Sequence, residues 1–181
     1  MIASAMPWAA ATNHYIMALT SAVPRLEMCL LGNLNSFVLD YVTRQKIGGI
    51  TLNFFIVEQF PILPPERYAE KCRWSKRQTL EKWISDRVLK LTCTANDMIP
   101  LAEAAGCDPP VHRWNEAERA TLRAELDAAY FLLYGIDRAD AEYILGTFQG
   151  LKDDATGALV TKAISQTDAI LAIYDRFAAA K

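Results

Sequence analysis

Between Cys107 and Asp127 the chain carries the side chains with which acid–base, nucleophilic or metal chemistry is done. Arg123, Glu125 and Asp127 place two carboxylates near a guanidinium, a set that could serve as general acid and base. Helical spacing argues against that use. Arg123 and Asp127 are four apart and share a face as an ordinary ion pair, while Glu125 points elsewhere. Cys107 and His112 are two ligands, too few for a zinc site. The remaining cysteines, Cys29, Cys72 and Cys93, form no C-x-x-C pattern, and His14 completes none. These thiols read as reduced side chains of a cytoplasmic protein. No nucleophile-and-base pair or metal set assembles from spacing alone, so a free-standing small enzyme has the least support.

Positive charge is the other chemical resource, and it is unevenly spread. Residues 1–65 carry 3 basic and 3 acidic groups, residues 66–90 carry 8 and 4, and residues 91–181 carry 8 and 14, within an overall net charge of -2. Only the middle stretch would attract phosphate. There Arg67, Lys71, Arg73, Lys76 and Arg77 cluster around Trp74 immediately before a helix. Ser75 and Gln78 read as its capping box, and Leu80, Ile84, Val88 and Leu91 as its buried face. The competing reading is a solvated helix start whose cations pair with Glu66, Glu70 and Glu81. A full DNA-binding surface is more basic than this, so the chain would hold only part of one.

The elements that must position these groups are mostly helices. One is predicted from Pro24 to Gln45, with Leu26, Leu30, Leu34, Phe37, Val38 and Tyr41 at helical spacing and Pro24 in the first turn. Gly48 and Gly49 end it, two residues that tolerate positive φ and close backbone approach. An apolar segment follows, stopped by Pro64 and Pro65. Residues 95–105 form a short helix, bent or restarted at Pro100 and stopped at Gly106. Asn115 and Glu118 start a longer one that carries Leu122, Leu126, Tyr130 and Leu133 and ends at Gly135. In it Tyr130, Phe131 and Tyr134 read as core. Asp137 caps the next helix, with Tyr143, Ile144 and Phe148, and a last one runs from about Thr156 to Ala178. Met1 to Thr20 reads as two weak strands, around Ile2 and around Tyr15 to Leu19. No charged residue precedes Arg25, Pro7 and Asn13 interrupt the apolar character, and no run is long enough to span a bilayer. At 181 residues and 52% hydrophobic, the chain can bury a substantial core.

Leu34-Asn35-Ser36, Asp40-Tyr41, Arg44-Gln45-Lys46, Gly48-Gly49, Leu52-Asn53 and Phe60-Pro61-Ile62-Leu63-Pro64-Pro65 together resemble the specificity-domain ends of N6-adenine DNA methyltransferases of restriction and phage-defence systems. More distantly they resemble the repeated domains of type I specificity subunits. The likeness continues through Glu81-Lys-Trp-Ile, Ala95-Asn-Asp, Arg123-Ala-Glu-Leu-Asp-Ala-Ala-Tyr-Phe, Leu133-Tyr-Gly-Ile, Tyr143-Ile-Leu, Thr161-Lys162 and Ile173-Tyr174-Asp175, nearly the whole chain. It implies the C-terminal end of a longer polypeptide. A methylating domain needs a Gly-rich loop for S-adenosylmethionine and an Asp/Asn-Pro-Pro-aromatic tetrapeptide that stacks on the flipped adenine. Neither is present: Asp108-Pro109-Pro110 is followed by Val111, and reads as a rigid turn between helices.

The expected fold is mainly α with a small β remnant (α+β): residues 1–65 the end of a target-recognition domain, residues 66–181 a helical C-terminal module. The resemblance implies DNA recognition without catalysis and no cofactor in this chain. Backbone amides near Gly48 and Gly49, with Arg44, Lys46, Arg73, Lys76 and Arg77, would hold phosphates, and Gln45, Thr51 and Asn53 would reach base edges. The expected partners are DNA, an upstream methyltransferase half or partner subunit, and a second copy meeting the open edges of the incomplete sheet. The alternative, favoured for the acidic half, is a protein interaction module whose helices dock on the methyltransferase core.

Overall fold

The computed structural model describes residues 3–7, 20–48, 52–148 and 161–180, with the backbone alone for 161–165. The chain is mainly helical, and its backbone contacts divide it into two compact units. Residues 1–35 and 39–114 make the first; residues 36–38 and 115–181 make the second. The expected domains were residues 1–65 and 66–181, and the compact units divide the chain at other places.

In the first unit α1 (Pro24–Leu34) packs along α5 (Leu80–Thr92), and both touch the short α4 (Pro65–Tyr68). Met28 and Cys29 of α1 are buried, as are Leu80, Trp83, Ile84, Val88 and Leu89 of α5. Trp83 and Leu89 thus join the predicted face, and Leu91 is only half-buried. Thr79 caps α5, its hydroxyl accepting from Lys82 N at 3.2 Å. The predicted Ser75/Gln78 box therefore does not form; both residues serve the preceding loop instead. Arg25 ties the two helices together, donating to Ser85 Oγ at 2.8 Å and to Asp86 Oδ1 at 2.6 Å. A second cluster gathers Leu39 of α2 (Phe37–Lys46), Ile56 of α3 (Phe54–Val57) and Phe60, with Leu34, Ile47, Leu52, Val57 and Ile62 around them. Fully buried Asn33 joins this segment to α1, its Oδ1 accepting from Leu63 N at 3.1 Å and from the Tyr68 hydroxyl at 3.5 Å.

The helix predicted from Pro24 to Gln45 is broken. Asn35 ends α1 because its amide folds back onto Leu31 O (2.9 Å) and exchanges bonds with the Ala3 backbone, donating to Ala3 O at 3.0 Å and accepting from Ala3 N at 2.9 Å. Such a side chain competes with the helical ladder. After the break the chain restarts at Phe37 as α2.

Residues 95–105 behave as expected: a 3₁₀ turn, Asn96–Met98, runs into α6 (Ile99–Ala104) with Pro100 in its first turn, and Gly106 closes it at φ 64.

The second unit holds α7 (Glu116–Leu133), α8 (Arg138–Thr147) and α9 (Thr161–Ala178), with α9 packed on both others. The expected caps are in place, Asn115 accepting from Glu118 N at 3.1 Å and Asp137 from Asp140 N at 2.9 Å, while Gly135 takes φ 70 after α7. Tyr130 and Phe131 are fully buried. In α8 the buried stripe is Ala141, Ile144 and Leu145, and Tyr143 is 65% exposed. The strands expected near Ile2 and Tyr15 to Leu19, and the start of the last helix near Thr156, lie outside the described residues. Among the described residues the β structure is a single antiparallel bridge, Lys71 to Thr79. No helix among them is long and apolar enough to cross a membrane.

Candidate nucleic-acid interface

The basic stretch before α5 folds into a closed loop. The Lys71–Thr79 bridge holds its ends, reinforced by Cys72 N donating to Gln78 O at 2.9 Å and Leu80 N to Glu70 O at 2.8 Å. Two turns fill it, Ser75 N to Cys72 O at 3.1 Å and Gln78 N to Ser75 O at 3.0 Å. These bonds occupy the backbone groups that a longer hairpin would otherwise satisfy.

Two side chains anchor the loop inward. Cys72 is 1% exposed, and burial pushes its thiol up, partly offset by the Trp74 and Ser75 amides. Trp74 meets Trp83 edge-on, ring centroids 5.4 Å apart, while the Arg87 guanidinium lies 3.6 Å over the Trp83 ring. Edge-on aromatic contacts of this kind, with a cation on the face, fix a loop's placement.

Lys71, Arg73, Lys76 and Arg77 face outward and are exposed. Of the nearby carboxylates, Glu70 takes Arg67 at 2.6 Å, and Asp86 takes Arg25 and Lys82. Among the described residues no carboxylate forms an ion pair with any of the four. Arg67, the fifth cation of the stretch, pairs with Glu70 as the solvated alternative expects, while the other four face solvent and offer a compact positive surface to an anion.

The other predicted contacts fall on a separate element. Arg44, Gln45 and Lys46 form the exposed last turn of α2. Arg44 reaches Asp40 at 3.2 Å, and Lys46 Nζ lies 3.4 Å from Gln59 Oε1, whose amide donates to Phe55 O at 2.7 Å. Asn53 is exposed at the start of α3; its carbonyl accepts from Ile56 and Val57 N and its side chain makes no cap bond. Beside it Phe54 and Phe55 are 67% and 61% exposed. Gly48 is exposed but does not take positive φ, and a Cβ there would meet nothing within 4 Å. The left-handed turn expected there is therefore absent at Gly48. Gly49 and Thr51 lie outside the described residues.

Two readings of chemistry change. Asp127 does not pair with Arg123, which turns to Glu116 at 3.0 Å; Asp127 is buried and accepts from Phe37 N at 2.9 Å. Glu125 meets Arg176 at 3.6 Å. Cys107 and His112, dismissed from sequence as too few ligands, stand with Sγ and Nε2 3.2 Å apart. Cys107 follows Gly106, its N–H bonded to Ala102 O at 2.8 Å, while His112 N donates to Cys93 O at 2.8 Å. Arg25 also reaches Gly106 O at 3.4 Å. Burial, then Asp86, pushes the Cys107 thiol up, with Arg25 opposing. No group of three metal-ligating side chains occurs among the described residues. The only sequence signal for the pair was its spacing across the Asp108-Pro109-Pro110 turn.

No protein-family model, no curated protein and no solved structure matches the chain.

Proposed function

We propose that this chain is a non-catalytic DNA-recognition fragment of a restriction-modification type adenine-specific methyltransferase, and that it works by positioning. The observation that carries the DNA contact is the loop from Lys71 to Thr79, where Lys71, Arg73, Lys76 and Arg77 stand exposed and unneutralised around an anchored Trp74. Phosphate contacts from such a loop fix register and carry no sequence information, so base reading would fall to Gln45, Thr51 and Asn53 or to the upstream part. The methyltransferase assignment rests on the sequence resemblance alone; the β remnant rests on the apolar stretches around Ile2 and around Tyr15 to Leu19 together with that resemblance. In this reading the chain binds no S-adenosylmethionine and needs an upstream half or partner subunit for methylation.

The test is the salt dependence of duplex binding, read by fluorescence anisotropy. With four phosphates neutralised, log K should fall with log salt at a slope of roughly -4, about -0.9 per contact. Lys76→Ala and Arg77→Ala should each make the slope shallower by about one unit. Absence of binding at low salt, or an unchanged slope in both variants, overturns the proposal.

The second reading, a module docking onto the methyltransferase core, is favoured for residues 91–181 by their 14 acidic against 8 basic groups. Under it, that half contributes nothing to the salt slope.

A further inference from the structure

Independently of any DNA contact, we propose that Cys107 and His112 form a nucleophilic thiol–imidazole pair, a site for covalent capture of a small carbon electrophile that carries a leaving group. Three observations support it. Sγ and Nε2 lie 3.2 Å apart, within hydrogen-bond reach for sulfur, the relation an activated thiol has to its base. The two backbones are held independently, Cys107 N by Ala102 O and His112 N by Cys93 O, so the pairing does not depend on one flexible side chain. Both side chains are only half-buried and reachable, whereas Cys29, Cys72 and Cys93 are 0%, 1% and 0% exposed.

The groups around the sulfur determine its state. Arg25 from α1, Asp86 and Lys90 from α5, and the adjacent Asp108 act on it. Burial and Asp86 push the thiol up, and Sγ has two acceptors in reach, Nε2 of His112 at 3.2 Å and Pro109 O at 3.5 Å. In the reaction the sulfur lone pair forms the new S–C bond and the S–H proton passes to Nε2. The leaving group departs with the electrons of the bond it breaks. Nothing is oxidised or reduced.

Iodoacetamide is a suitable probe, with iodide as the leaving group. The full chain is alkylated between pH 5 and 9, folded and in guanidinium chloride, and the rate at Cys107 is read by peptide mass spectrometry. At pH 7 folded Cys107 should react about tenfold faster or more than in the unfolded chain, the scale of general-base assistance. His112→Gln should lower the folded rate to the unfolded level or below it. The proposal is overturned if folded Cys107 reacts no faster than unfolded, or if the His112→Gln profile superimposes on the wild type. Should circular dichroism show that His112→Gln does not fold, the wild-type rates decide alone: a folded rate no higher than the unfolded one overturns the proposal.

Discussion

The backbone N–H of Phe37, the first residue of α2, donates to Oδ1 of Asp127, buried in the middle of α7, at 2.9 Å. The carboxylate satisfies an amide that the helix itself leaves without a partner. Desolvation nevertheless dominates. It pushes the Asp127 carboxyl up to about 7, against the Phe37 amide and the more distant Arg123 charge.

This fixes the sign of a pH effect. The folded chain holds a proton that the unfolded chain releases near pH 4, so stability is fully present below that pH and is lost as pH rises through about 7. Urea unfolding at pH 5 and pH 8 should show a decline on the order of 2–4 kcal/mol from this group. Asp127→Asn should remove that decline, because whatever the amide costs does not titrate. Equal pH sensitivity in both proteins would refute the assignment.

Trp74→Ala separates anchoring from charge. Losing the edge-on contact with Trp83 and its burial should cost about 2–3 kcal/mol. The loop keeps its four cations, so DNA affinity should drop while the salt slope stays near the wild-type value. A shallower slope would mean that the loop charges act only when Trp74 holds them, and unchanged affinity would mean that the anchor is irrelevant to binding.

Asn33→Ala should destabilise the first unit by about 1–3 kcal/mol, since Leu63 N would be left buried without its acceptor. Thermal unfolding reads the total, and faster amide exchange at Leu63 reads the local loosening. A Leu63 amide that stays protected in the variant would show that Asn33 does not hold this segment.

Phe54 and Phe55 are exposed on a four-residue helix, and self-association through residues 1–65 would bury them. Sedimentation should show concentration-dependent association of the wild type, abolished in the Phe54→Ser, Phe55→Ser double variant. A wild type that stays monomeric at high concentration would contradict this.

Local rules recovered what local atoms decide. Asn115 and Asp137 were readable as caps, and Gly106 and Gly135 as helix ends, because each acts within a few residues of itself. The break after Leu34 was not readable: it depends on Asn35 meeting Ala3 and on Phe37 meeting Asp127, 32 and 90 residues away. The cluster of cations before α5 was legible as composition. Which of its members is neutralised was not: Glu70 takes Arg67, and Lys71, Arg73, Lys76 and Arg77 are left exposed. Cys107 and His112 were legible only as too few ligands, because five residues of spacing place two side chains 3.2 Å apart only once the intervening turn is known.

Residues 36–38 belong to the compact unit otherwise built from residues 115–181. In the order of synthesis, this three-residue piece leaves the ribosome long before the helix that carries its acceptor. The amide of Phe37 must stay hydrated, or borrow another partner, while 90 further residues are made. The closing step then spans a loop whose entropy cost is already near its slowly rising plateau, and non-local closures of this kind slow folding. A polypeptide released before Asp127 would carry a first unit able to form its own contacts and a stranded fragment of the second, the state in which chaperones would meet it.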